Sequence, residues 1–341
     1  MIVLRLPGGL SLRLHTRALV VGGAGTLLAA ALAVLAVGAG DYPIDPADVL
    51  RVLAGGGNPA DRFVVTELRL PRLATALAVG AALGLAGAVF QSLTRNPLGS
   101  PDILGVTQGA ATGALVVVVL GGSSIALGAA AAAGGLAIGA LLAALAGPRG
   151  LTGHRLVLVG IGVTAILTGV NGWLLTRAPL MDAARAALWL TGSLDGRGWA
   201  NALPVLAALA ALLPAVLLAR APALRLIELG DDTAAALGVP VRRVRLAALG
   251  TAVLLVSLAA AAAGPVSFLA LTAPHLARRL TRAPGPNLLP SAALGAALLA
   301  AADQVAQHAV GGHQLPVGVV TGVLGGGYLT WLLAGERGSR R

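Results

Sequence analysis

The 341-residue chain contains no lysine and no cysteine, and only 11% of its residues are charged. Each shortage removes a class of chemistry. A nucleotide-binding P-loop needs the lysine of GxxxxGK[ST] to reach the phosphates, and Schiff-base chemistry needs an amine. The chain is therefore not itself a P-loop ATPase, although it is free to partner one. Without cysteine there is no disulfide framework, iron–sulfur cluster or thiolate metal site. The five histidines (His15, His154, His275, His308 and His313) show neither HExxH spacing nor companion carboxylates, so no metal site and no resident cofactor is expected.

What the chain has in abundance is apolar sequence, 57% of the residues. It falls into about ten runs, at 18–40, 71–94, 103–120, 124–146, 155–176, 200–219, 244–263, 265–280, 288–310 and 316–334. A run of roughly 17–25 apolar residues crosses the hydrocarbon core as a helix, so the expected fold is an all-α integral membrane protein, a polytopic bundle of about ten transmembrane helices. The whole chain, 1–341, reads as one transmembrane domain, with the bundle over 18–334. The first run, about 23 residues, exceeds the 7–15 of a signal-peptide apolar region and is read as a retained span.

The net charge of +11 could suggest nucleic acid, but its distribution argues for topology. With an even number of crossings and both termini cytoplasmic, Arg51, Arg62, Arg69, Arg72, Arg177, Arg185 and Arg197 lie outside and the other 17 of the 24 arginines lie inside. The opposite orientation would invert the positive-inside bias. Multi-pass insertion in the cytoplasmic (inner) membrane and no nucleic-acid partner follow.

Three connections are too long to be turns. Asp41 to Arg72, outside, carries a short amphipathic helix within DYPIDPADVLRVLAGGG. Thr176 to Trp199, outside, carries a surface helix within MDAARAALWLTGSLDG. Residues 220–245, inside, mix Glu228, Asp231 and Asp232 with arginines, and Gly238-Val239-Pro240 should end one helix and begin another. Glycine and alanine saturate the spans, for example Gly80, Gly84 and Gly87, or Gly134 to Gly139, which predicts close helix approach.

Four further stretches carry more specific information: Arg69-Leu-Pro-Arg72; Asn96-Pro97-Leu-Gly-Ser-Pro-Asp-Ile-Leu-Gly105-Val-Thr-Gln-Gly109; Gly264-Pro265-Val-Ser-Phe-Leu-Ala-Leu-Thr-Ala-Pro274-His275-Leu-Ala-Arg278; and Gln314-Leu-Pro316-Val-Gly318-Val-Val-Thr. Together with the inner loop from Leu229-Gly230-Asp231 to Gly238-Val239-Pro240-Val241-Arg242-Arg243, they resemble the FecCD-type permeases. These belong to binding-protein-dependent ATP-binding-cassette importers for ferric siderophores, haem and cobalamin. The family patterns RxPR, NPLxxPxxLGVxxGA, LGxxxxR, GxIxFxGLxxPHxxR and ELPVGxxTxxxG occur in order across residues 69–331, and the terminal LGGGYLTWLL is most similar to siderophore members.

The resemblance implies a cobalamin-importer-permease-like fold and an assembly of two permease subunits, two ATPases that bind ATP-Mg, and one extracytoplasmic substrate-binding protein. Arg69 and Arg72 would dock the binding protein. Glu228, Gly230, Asp231, Asp232, Gly238, Val239, Pro240, Arg242 and Arg243 would form the ATPase-coupling loop. Asn96, Pro97, Gly105, Gly264, Pro265, Pro274, His275, Asp303, Pro316 and Gly318 would shape the translocation path or its gates. The family arginine four residues after the ninth-span aspartate is missing: Asp303 is followed by Gln304-Val305-Ala306-Gln307, with His308 and His313 as nearby substitutes. Asp303 is the one acid expected inside a span, which makes it a functional candidate, with a hydrated or helix-pairing role near the outer end as the equal alternative, and His275 is expected to serve as a structural hydrogen-bonding group. The cargo implied is a ferric siderophore, with haem or cobalamin as alternatives within the family. A proton-coupled carrier, the competing class, would need several intramembrane acids or histidines.

Overall fold

The computed structural model describes residues 2–5, 11–38, 42–146, 153–309 and 314–338. Arg149, His313, Arg340 and Arg341 lie outside the described residues. Two short strands, β1 (Ile2–Arg5) and β2 (Ser11–Leu14), pair antiparallel with Ile2 opposite Leu14; among the described residues everything else regular is helical. In chain order the helices are α1 (Thr16–Gly38), α2 (Pro46–Leu53), α3 (Pro59–Phe63), α4 (Leu70–Thr94), α5 (Val106–Val119), α6 (Ser124–Ala146), α7 (Gly153–Arg177), α8 (Leu180–Leu190), α9 (Trp199–Ala215), α10 (Ala221–Glu228), α11 (Asp231–Ala236), α12 (Val241–Ala263), α13 (Leu269–Thr281), α14 (Leu288–His308) and α15 (Val317–Gly338).

Among the described residues seven helical spans are long and apolar enough to cross a membrane. Two of them run longer than expected. α3 continues through a π-helical stretch, Val64–Arg69, into α4, and α9 continues through Val216–Arg220 into α10. α5 and α15 supply shorter apolar helices. Every one of the ten expected runs therefore carries a helix, but two are incomplete. The run at 103–120 begins with a 3-10 turn, Pro101–Leu104, before α5. The run at 265–280 opens as irregular backbone, because Gly264 and Phe268 both take positive φ (73° and 65°) and Pro265 lacks an N–H. Non-helical backbone is tolerated at membrane depth where protein buries it or where it lines a water-filled cavity; Gly264, Val266 and Leu269 are buried, whereas Ser267 is exposed.

α4 is the axis of the bundle: 78% of its apolar window is buried, against 17% for α1 and for α7. It packs on α14, α12, α9 and α13. Its glycines permit this. A Cβ on Gly80 would come within 2.8 Å of Ala296 Cα, and one on Gly84 would overlap the Ser291 carbonyl oxygen. Gly87 faces the carbonyl of Ala270, four residues before Pro274 and so deprived of its usual helical donor. By contrast, Gly162, Gly169 and Gly172 on α7 have nothing within 4 Å.

Both outer excursions fold as amphipathic helices. Asp45 caps α2 by accepting from the Ala47 N–H at 2.9 Å, ahead of Pro46 at the first position. Val52 of α2 packs with Val37, Ile44 and Val65 into a small core over the outer end of the bundle. The native chain lacks cysteine, so topology is testable on a clean background. A cysteine at exposed Ala60 should react with an impermeant thiol reagent in intact cells, whereas one at exposed Ala236 should react only after permeabilisation.

Candidate functional site

The residues singled out in the sequence collect into four places. The first is the outer end of α4. Arg72 reaches across to Asp303 of α14, with Nε 3.1 Å from Oδ2 and Nη2 2.9 Å from Oδ1. The two side chains are 15% and 6% exposed. The third Arg72 nitrogen, Nη1, donates to Gln314 Oε1 at 2.8 Å, and Asp195 lies 3.8 Å from it. Gln307 stands where the family arginine is missing, and its amide donates to Asp303 at 2.8 Å. His308 is exposed, its ring bonded to its own helix at the Gln304 carbonyl. Arg69 donates to the carbonyls of Val37 and Tyr42 and so ties the end of α1 to the outer loop. Both arginines are thus engaged within the chain. Nearby, the Asp61 carboxylate accepts from the Tyr42 hydroxyl at 2.9 Å and raises that phenol's pKa. Burial lowers the Arg197 pKa, with Asp195 opposing the shift.

The second place is a seam where three distant segments touch by backbone. Gly318 N–H donates to the Gly192 carbonyl at 3.1 Å and Ser193 N–H to the Ala263 carbonyl at 2.8 Å. A Cβ on Gly264 would come within 2.5 Å of the Trp189 carbonyl, and one on Gly318 would overlap that of Thr191. Gly264-Pro265 and Pro316–Gly318 were legible as motifs; their third member, Gly192 after α8, was not, because only its neighbours in space make it special.

The third is a cleft of about 680 Å³ between α5, α7, the end of α8 and residues 265–268. Asp102, Gln108, Thr168, Asn171 and Ser267 give it polar walls. Thr107 and Ser100 donate to the Asp102 carboxylate at 2.7 and 3.1 Å. Asn171 bonds Gln108 and accepts from Thr112, so α5 and α7 are laced together beside the cleft. Gly105, with φ 77°, turns the chain from the Asn96-Pro97 corner into α5 against Thr164. Asn96 itself closes that corner by accepting from Leu98 N–H at 2.9 Å. Phe268 starts α13 in a left-handed conformation that bulky residues rarely take; it lines the cleft and lies against Gly325 of α15.

The fourth is the inner end. α10 and α11 are the two short helices expected in residues 220–245. Their hinge is Gly230, with φ 121°; Gly238, with φ 84°, instead separates α11 from α12. Asp231 accepts from Arg245 at 2.7 Å and lies 4.0 Å from Arg95, so this acid holds the loop down rather than facing outward. Asp232, Gly238, Pro240, Arg242 and Arg243 are exposed, flanked by Leu229 and Leu237 at 67% and 60% exposure; Val239 is half-buried. Glu228 accepts from Ser92 at 2.7 Å. Past Pro274, His275 Nδ1 meets the Tyr328 hydroxyl at 2.7 Å and joins α13 to α15, while Arg279 lies over the Trp331 ring. Gln91 and Ser92 precede the Asn96-Pro97 corner and Arg278 ends the Gly264 motif; a polar pair closing a long apolar run was the one local signal of a role.

The profile of the FecCD transport family matches residues 27–335. The ferric enterobactin transport system permease protein FepG of Escherichia coli strain K12 is 47% identical over 299 residues, covering 87% of this chain and 90% of that protein. The iron(3+)-hydroxamate import system permease protein FhuG of Bacillus subtilis strain 168 is 38% identical over 310 residues, with 86% and 90% covered. Among solved structures, an inward-facing metal-chelate type ABC transporter superposes with a TM-score of 0.81 at 28% identity, over 92% of this chain and 98% of the other.

Proposed function

Because the chain belongs to the FecCD transport family, we propose that it is the permease subunit of an ATP-driven importer whose cargo is a ferric siderophore. It is a multi-pass membrane protein, and we place it in the cytoplasmic membrane. Two permease subunits, two ATPases holding ATP-Mg and an outer substrate-binding protein complete the assembly. The observation that supports this best is the displayed inner surface. Two short helices hinged at Gly230 present exposed leucines between an acid and a pair of arginines, a surface suited to reversible docking by a partner of mixed charge. The chain's part in transport is to bind these partners, exclude water and move as helices.

The cargo side is supported by the cleft. Its walls, mainly apolar with a few hydroxyls, amides and the Asp102 carboxylate, would hold a large chelate weakly, and among the described residues no cluster of ligating side chains would strip the metal from it. Iron would cross inside its chelate. Asp303, the acid a proton-coupled carrier would use, is already paired with Arg72. Arg69 and Arg72 remain proposed contacts for the binding protein, whose carboxylates would compete with Asp303 and Gln314 for Arg72.

Uptake of radiolabelled iron with a panel of siderophores in a deletion strain tests the reading; no loss with any chelate would overturn it. Gly238→Trp, or Asp232→Arg, should leave insertion intact and lower transport at least tenfold by spoiling the fit of the inner surface. Copurification of the ATPase reports the cause. Wild-type import by both variants with the ATPase bound would move the docking surface elsewhere.

A further inference from the structure

Gln91 and Ser92 are fully buried in the last turn of α4, and each faces a different mover. Ser92 donates to Glu228, the final residue of α10, at 2.7 Å. Gln91 is bonded along α13 in two places: its amide nitrogen donates to the Leu271 carbonyl at 3.2 Å, and its oxygen accepts from Arg278 Nη2 at 2.9 Å. The end of α4 is therefore a clasp between the inner helices and the helix that leads up to the cleft wall.

Arg278 is poorly served by this arrangement. A guanidinium offers five N–H donors, yet its Nε is buried without a partner among the described residues. The ion pairs among the described residues do not include it. Glu228 is held on Ser92, the chain neighbour of the Gln91 that binds Arg278. A buried donor of a charged group left unmet is costly, and a nearby carboxylate bound to a neutral hydroxyl is the natural acceptor.

We propose that Arg278 and Glu228 are positioning residues for transport: when the docked ATPase displaces α10, Glu228 leaves Ser92 and pairs with Arg278, which lets go of Gln91. The inference rests on the ATP-driven reading above. α13 is one short helix, about 20 Å long, that continues through Pro274, so a pull on its last turn is carried to its first residue, Leu269, and to Phe268 that caps it, and with them to the 265–268 wall of the cleft. Gly230, two residues past the end of α10, supplies the freedom for the swing.

The test uses the complete transporter in proteoliposomes, loaded with a ferric siderophore that the wild type imports, and reads import per ATP hydrolysed. Arg278→Gln should lower that ratio about tenfold while the ATPase stays bound and keeps hydrolysing, and Glu228→Gln should lower it by a similar factor; the combination Glu228→Arg with Arg278→Glu should restore most of it. Ser92→Ala, which frees Glu228 in this conformation, should raise hydrolysis in the absence of cargo, a change that loss of packing would not produce. A charge-exchanged protein no better than either single variant would overturn the proposal. If the exchanged protein does not assemble, Ser92→Ala combined with Glu228→Gln decides. Effects on the ratio smaller than the product of the two single effects support the proposal, and a simple product overturns it. A wild-type complex that imports no ferric chelate would instead overturn the proposed function.

Discussion

Gly84→Leu and Gly87→Val should leave little folded protein in the membrane, whereas Gly23→Ala should leave the yield unchanged. The three glycines differ only in what lies opposite. A Cβ at Gly84 would overlap the Ser291 carbonyl of α14, and one at Gly87 the Ala270 carbonyl of α13. Gly23 of α1 has nothing within 4 Å. Without a hydrophobic drive between helices in lipid, association rests on close van der Waals contact and on polar bonds. Separating α4 from both neighbours would forfeit that contact along the most buried helix of the bundle. Overpacking a core side chain ordinarily costs about 1–3 kcal/mol. Here the obstacle is backbone, which cannot change rotamer, so the cost should exceed that range. Detergent-extracted yield with size-exclusion profiles, compared among the three variants, gives the result. Wild-type yield from Gly87→Val would mean that α13 does not approach α4 as described.

Asp303→Ala should destabilise the permease by about 3 kcal/mol, the lower end of what breaking a buried ion pair costs, because Arg72 would keep its charge with only Gln314 and the more distant Asp195 to answer it. Arg72→Gln should cost a similar amount by stranding Asp303, and the double variant should cost less than both together. Thermal unfolding of the purified protein measures these three values. The affinity of the binding protein for the same variants separates two roles of Arg72. A purely internal clamp would change stability and leave that affinity alone, while a docking residue would change both. Additive losses of stability would show that the pair does not hold α4 to α14.

Much of this molecule was legible from local sequence. Run length depends only on hydrocarbon thickness and the cost of burying backbone polar groups, so the helical runs could be read directly; the arginine asymmetry supplies the orientation that the cysteine labelling tests. Asp45 before Pro46 marks a helix start wherever the chain goes next. Gly238-Val239-Pro240 breaks a helix for the same local reason, and the order of five motifs was sufficient to recognise the family.

Contacts between residues far apart in sequence were decided only by the fold. Arg72 and Asp303 are 231 positions apart, and no pattern in either segment announces that they meet. The same holds for Gly192 against Gly318 and for Gln91 against Arg278. The hinge of the coupling helices fell at Gly230 rather than Gly238 because Asp231, held by Arg245, anchors the start of α11. Apolar patterning selects which residues avoid water, but in a chain that is apolar on nearly every face it cannot say which face meets which. That assignment comes from where glycine lets two backbones touch and where a buried charge finds its partner.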